Sequence, residues 1–140
     1  METLRDVMTP NPATVRISDP VAVAARVMLD EDVGSVPVID EGAVAGIITD
    51  RDIAIKVVAI GRDPQTAAVS EYMSTRVVTG RPDMSLDDAA RLMGREQIRR
   101  LPIVDQNRLV GIVALGDLAT EPRGQDEAED ALEEISQPAR

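Results

Sequence analysis

Histidine and cysteine are both missing from this chain. Their absence removes disulfides, Cys/His zinc sites, cysteine nucleophiles and histidine bases together. Tryptophan and phenylalanine are missing too, and Tyr72 is the single aromatic residue. A core must therefore be built from Val, Ile, Leu, Ala and Met, and a planar ring bound here would lie against aliphatic side chains and backbone. There is no concentrated basic stripe, and the net charge of −10 would repel phosphate backbones, so no nucleic-acid partner is expected. No run approaches the ~18 apolar residues of a membrane span, and Met1-Glu2-Thr3-Leu4-Arg5 is not a signal peptide. The expectation is a cytoplasmic chain with no membrane partner.

What remains is enough for a core. An apolar fraction of 44% over 140 residues suits one compact domain or two small ones sharing a core. Set against itself at an offset of 65, the chain repeats without a gap. Met8 falls on Met73, Thr14 on Thr79, Ala24 on Ala89, Met28 on Met93, Pro37 on Pro102, Asp40 on Asp105, Gly46 on Gly111 and Asp52 on Asp117. Two long copies argue for a tandem duplication of one α/β unit rather than a solenoid. The expected division is 1–65, a first repeat with its linker, then 66–121, a second repeat, then 122–140, an acidic tail.

In the first copy Thr3 can cap a short helix through Met8, with Pro10 beyond it. Thr14-Val15 leaves room for a very short strand. Asp19-Pro20 reads as an N-cap followed by a first-turn proline. Val21, Ala24, Ala25 and Met28 then mark one helix face, repeated as Leu86, Ala89, Ala90 and Met93. Ser35 to Asp40 is a strand interrupted by Pro37, which should lie at a sheet edge or carry a bulge. Glu41-Gly42 turns the chain into a returning strand, Ala43 to Thr49, and a helix from Asp50 to about Ile60 is ended by Gly61. In the tail, Ala128, Ala131, Leu132 and Ile135 have helical spacing.

The stretch Gly46-Ile47-Ile48-Thr49-Asp50-Arg51-Asp52 organises the chain: a buried strand runs straight into a helix. Its echo is Gly111-Ile112-Val113-Ala114-Leu115-Gly116-Asp117. Open α/β folds tend to hold ligands where a strand's C-terminal end meets a helix. Thr49 and Asp52 read as a ligand-facing pair, and the other reading is that Thr49 and Asp50 merely cap the following helix. The proline strands read either as protected edges or as edges beside a cleft.

With these residues in place the chain resembles a pair of CBS domains, a Bateman module. The likeness rests on Val36-Pro37-Val38-Ile39-Asp40 with Gly46 to Asp52, and on Arg99-Arg100-Leu101-Pro102-Ile103-Val104-Asp105 with Gly111 to Asp117. The resemblance implies an α/β (α+β) fold of two β-α-β-β-α repeats packed sheet to sheet with pseudo-twofold symmetry. It implies two clefts between the repeats that take adenosine nucleotides or derivatives. Asp52 would hold the ribose, Thr49 would meet phosphate with Arg51 as charge partner, and Thr14, Val15, Val36, Pro37 and Val38 would line the base. The corresponding second set is Val78, Thr79, Arg100, Leu101, Pro102, Ile103 and Asp117. Ala114 and Gly116 replace Thr49 and Arg51 there, so the two sites should be unequal.

The resulting expectation is a non-catalytic regulatory module that signals through dimer or partner contacts. AMP, ADP or ATP would be its regulatory ligand, with or without a divalent ion, and no cofactor would be obligatory. A homodimer through Val21/Ala25/Met28-type surfaces and an effector protein are the implied partners. The alternative is a structural or interaction module with vestigial clefts. No nucleophile-base pair is visible in the sequence, so neither an enzyme nor a metal site is expected.

Overall fold

The structure is a computed structural model that describes residues 2–119. The expected acidic tail, with its helical spacing, lies outside them. In chain order the elements are α1 (Leu4–Val7), β1 (Thr9–Pro10), β2 (Val15–Arg16), α2 (Val21–Glu31), β3 (Ser35–Asp40), β4 (Ala43–Thr49) and α3 (Asp50–Ile53). A π-helical turn, Ala54–Val58, extends α3. Then come α4 (Val69–Tyr72), α5 (Leu86–Glu96), β5 (Arg100–Asp105), β6 (Arg108–Ala114) and α6 (Leu115–Ala119). The architecture is mixed α/β with two three-stranded sheets.

The compact units do not coincide with the sequence copies. One unit is Ala13–Val77; the other joins the start of the chain, through Pro12, to the chain from Val78 onward. Each copy thus lends its leading segment to the unit built around the other.

In the unit of residues 13–77 the sheet order is β2-β3-β4. β2 runs parallel to β3, with Val15 opposite Val38, and β3 and β4 form an antiparallel hairpin. Glu41 and Gly42, both at positive φ, make its turn, a conformation that glycine adopts without strain. α2 places Val21, Ala24 and Met28 on a core shared with Val15, Val36, Val38, Ile48, Val57 and Val69. α4 arrives from the second copy: Val69 is fully buried, and Ser74 and Ile47 exchange backbone hydrogen bonds of 2.8 and 2.9 Å.

The other unit repeats the plan. Its sheet order is β1-β6-β5, and Gly80 bridges to Ile103 in parallel as Val15 does to Val38. Its core joins Leu4 of the borrowed α1 to Leu86, Ala89, Ala90, Met93, Leu101, Ile103, Val113, Leu115 and Leu118. β1, which has no signal in the sequence because it is two residues containing a proline, pairs with β6 through Thr9 opposite Ile112.

This exchange explains the paired glycines. A Cβ on Gly46 would stand 2.6 Å from Met73 Sδ and 2.7 Å from the Ser74 carbonyl oxygen. On Gly111 it would stand 2.5 Å from Met8 Sδ and 3.1 Å from the Thr9 carbonyl oxygen. Glycine is required by close backbone approach, because each borrowed segment crosses there.

Several expectations are corrected. Pro37 lies in the central strand of its sheet, not at an edge. Its counterpart shows why this is tolerated: the parallel ladder takes only the Pro102 carbonyl, from Gly80 N–H at 2.9 Å, and its next donor is Val104 N–H. The bulge alternative is present, as register shifts after Val38 and after Ile103. Asp19 does not cap α2; it accepts from Arg16 N–H at 2.8 Å. The first N–H groups of α2 instead donate to the linker carbonyls of Ala67 and Pro64. The helix expected from Asp50 to Ile60 is α-helical only to Ile53, after which the π-helical turn takes over, with Gly61 (φ +82°) following Ile60. Ala25 is exposed, whereas its counterpart Ala90 is buried. Val21 and Met28, expected at a dimer surface, are core residues.

Candidate functional site

β4 ends at Thr49, which pairs with Ser35 at the start of β3, and the chain turns there into α3. A reciprocal capping box fixes the corner. Thr49 Oγ1 accepts from Asp52 N–H at 3.0 Å, and Asp52 Oδ2 accepts from Thr49 N–H at 3.0 Å. The other Asp52 oxygen, Oδ1, lies 3.0 Å from Lys56 Nζ. Asp52 is only 14% exposed, so the corner presents a held carboxylate rather than a mobile one. Asp50 N–H donates to the Gly34 carbonyl, and Asp50 Oδ1 accepts from Arg51 N–H, which tightens the first turn.

Capping is therefore real at this corner, through Thr49 with Asp52 rather than with Asp50, and it does not exhaust these groups. A carboxylate has about four lone-pair directions, and here two are used, one on each oxygen. The Thr49 hydroxyl accepts one bond and keeps its own proton to donate. Lys56 was missing from the expected site. Its signal was the Asp-to-Lys i,i+4 spacing, which aligns the two side chains on a helix face.

Of the other expected residues in this unit, Thr14 and Arg51 are exposed. Val15, Val36 and Val38 are 2%, 1% and 0% exposed, and Pro37 is buried. Their side chains are enclosed, so a ligand laid along β3 would meet backbone there. The second set repeats the layout around Gly80 and β5. Thr79 is exposed and Val78 half-buried, Leu101, Pro102 and Ile103 are buried, and Arg100 is half-buried with its Nε enclosed and unpartnered. Leu115 N–H donates to the Arg99 carbonyl as Asp50 N–H does to Gly34, so the second corner keeps the backbone frame. Ala114 stands at the cap position, and Asp117 lies exposed on α6.

The elements above define a class: a duplicated α/β module whose copies exchange leading segments and whose strand-to-helix corners carry the polar groups. The CBS domain model matches residues 4–59 and 69–124, and the chain belongs to the CBS-domain family, with two CBS domains in tandem. It is 52% identical over 136 residues to the CBS domain-containing protein YhcV of Bacillus subtilis, covering 97% of this chain and 96% of that one. A crystal structure of Hypoxic Response Protein I, a protein of Mycobacterium tuberculosis, with two coordinated zinc ions aligns at a TM-score of 0.78 and 34% identity. That alignment covers 86% of this chain and 98% of the other. A structure of CBSX2, a CBS-pair protein of Arabidopsis thaliana, in complex with AMP aligns at 0.74 and 29% identity, covering 86% and 95%. CBS pairs are regulatory and generally non-catalytic.

Zinc does not fit this chain's donors. It has no thiolate or imidazole to offer, and among the described residues no three carboxylates gather closely enough to hold a metal. No helix among the described residues is long and apolar enough to cross a membrane.

Proposed function

We propose that this chain is a non-catalytic sensor that binds an adenosine nucleotide or derivative at the Thr49–Asp52 corner and passes the occupancy on through dimer or effector contacts. The observation that carries the reading is the corner itself: a carboxylate fixed by two in-chain partners, with acceptor capacity to spare on both oxygens. Asp52 would accept from the two adjacent ribose hydroxyls, one per oxygen. Thr49 would donate its hydroxyl proton to phosphate, and the cations of Arg51 and Lys56 would offset the phosphate charge. The backbone along β3 would give an adenine polar edges to meet in place of an aromatic partner. AMP in CBSX2 supports the ligand class. A divalent ion would enter with a polyphosphate rather than through a dedicated protein cage.

The second corner would be weaker. Ala114 cannot donate to phosphate and Gly116 brings no charge, although Arg100 places a cation on the neighbouring strand. The same two substitutions favour the second reading, an interaction module with vestigial clefts. Binding tied to one conformation shifts the equilibrium only by its differential affinity for the states, so occupancy and signal must change together. Isothermal titration of AMP, ADP and ATP into wild type and Asp52→Ala tests the assignment. The expected result is at least a tenfold loss of affinity in the variant; unchanged affinity removes Asp52 from the site. A wild type that gives neither heat nor a rise in melting temperature with any of the three supports the second reading.

A further inference from the structure

With no cysteine, histidine or tryptophan in the chain, a two-electron oxidant such as a peroxide finds a soft nucleophile only in the methionine thioethers. Of the six methionines, Met1 lies outside the described residues. Met28 and Met93 belong to the two cores, at 8% and 0% exposed. Met84 is half-buried, and so are Met8 and Met73, which fall on each other at the offset of 65.

Those last two share more than an offset. Met8 closes α1 and Met73 closes α4, each donating its N–H to the first carbonyl of its helix, Leu4 at 2.8 Å and Val69 at 3.0 Å. Each thioether then lies flat on a glycine of the other copy. A methyl at Gly111 in β6 would fall 2.5 Å from Met8 Sδ and 2.9 Å from its Cγ; at Gly46 in β4 it would fall 2.6 Å from Met73 Sδ and 3.0 Å from its Cγ. The residue after each methionine makes the crossing contact. Thr9 pairs with Ile112 in the two-residue β1, and Ser74 bridges to Ile47. Segments held by so few ladder bonds open locally at lower cost than the sheets they cross. The sulfurs of Met8 and Met73 are therefore reached by local opening, whereas those of Met28 and Met93 are reached only when a core comes apart.

We propose that Met8 and Met73 are a matched pair of reversible oxidation sites, one in each compact unit, where a peroxide turns the thioether into a sulfoxide and unlatches the traded segment. With hydrogen peroxide, a sulfur lone pair attacks one peroxide oxygen and the O–O bond breaks. The sulfur keeps that oxygen and is oxidised by two electrons, and the other oxygen is protonated and leaves as water. The product no longer fits. A sulfoxide oxygen turned toward the glycine has no room, because the sulfur already fills the space a methyl would need. Turned outward, it draws the side chain off the glycine and off the aliphatic cluster that each methionine packs against. Either way the oxidised side chain stops sealing the crossing, and reduction restores the seal. Neither sulfur is among the groups assigned to the nucleotide, so the inference stands apart from that reading.

The test treats the wild-type chain with dilute hydrogen peroxide and samples it over time. Each sample is mapped by digestion and mass spectrometry and melted under circular dichroism. Expected is a gain of one oxygen at Met8 and Met73 at least about tenfold faster than at Met28 and Met93. Once both are oxidised, the melting temperature should have fallen by about 5–10 °C. The two methionine sulfoxide reductases, one for each sulfoxide epimer, should restore mass and melting temperature together. The variant Met8→Leu/Met73→Leu nearly conserves volume, so it should fold, and its melting temperature should not respond to peroxide over the same interval. Equal rates of oxidation at the four sites overturn the proposal, as does a doubly oxidised chain that melts with the untreated one. A shift that persists after the sulfoxides are reduced overturns it as well. So does a double-leucine variant that loses as much as wild type, because the effect then belongs to another methionine such as Met84.

Discussion

Replacing Gly46 by alanine puts one methyl group where the structure has no room for it. The new carbon would lie 2.6 Å from Met73 Sδ and 2.7 Å from the Ser74 carbonyl oxygen. A methionine can swing its thioether aside, because its three torsions are soft. The carbonyl cannot, since Ile47 N–H donates to it at 2.9 Å and Ser74 N–H donates back to the Ile47 carbonyl at 2.8 Å. Relief therefore means pushing away the crossing segment that carries Ser74. Overpacking of this kind costs about 1–3 kcal/mol. Weakening the two backbone bonds adds about 1 kcal/mol, for a total of roughly 2–4 kcal/mol. Against a typical domain stability of about 5–15 kcal/mol this is a severe loss, on the order of 10 °C in melting temperature. Urea unfolding followed by circular dichroism reads it as a lower midpoint. The control is Gly116→Ala on α6, where a Cβ meets nothing within 4 Å and alanine should be neutral or stabilising by up to about 1 kcal/mol. If Gly46→Ala unfolds at the wild-type midpoint, the account of the glycine and of the crossing segment is refuted.

Two further outcomes are expected. Thr49→Ala removes the hydroxyl that accepts from Asp52 N–H, so it should lower stability by about 1 kcal/mol in urea and also weaken AMP in titration; a stability loss without an affinity loss would confine Thr49 to capping. The Arg91 guanidinium hydrogen-bonded to Asp88 holds that carboxyl below its ordinary value, with the Ser85 hydroxyl helping and desolvation opposing. A depressed carboxyl stabilises the fold above its unfolded value and loses that contribution as pH falls through the folded value, so the effect belongs below about pH 4. A side-chain NMR titration should place Asp88 low and Arg91→Ala should raise it; an unmoved titration refutes the pairing.

Much of this architecture was legible in the residues. The offset of 65 exposed the duplication, and the strands other than β1, the hairpin turn at Glu41-Gly42 and the Thr49-x-x-Asp52 corner follow from local pattern alone. What escaped was decided at a distance. Gly46 and Gly111 could be matched to each other by sequence, but their reason lies in Met73 and Met8, which no local window contains. Pro37 suggested an edge because propensity is blind to register, and the ladder beside its counterpart Pro102 takes only a carbonyl. Asp19 looked like a cap because the carbonyls that cap α2 come from the linker more than forty residues on. Lys56 was legible through its spacing from Asp52 and lay outside the expected site because the corner motif ends at Asp52. Ala25 and Ala90 are identical residues with opposite burial, a difference that composition cannot carry.

The traded leading segments also bear on how such a chain could arise. Cut between residues 65 and 66, the first piece would keep Leu4 and Met8 with nothing to cover, and would leave Ile47 without its Ser74 neighbour. A single-copy ancestor meets both needs at once by lending its first turn to an identical chain and receiving one in return, which is domain swapping. Joining two such copies in one chain would turn a concentration-dependent encounter into a tethered one, so that the lender and the borrower could no longer part.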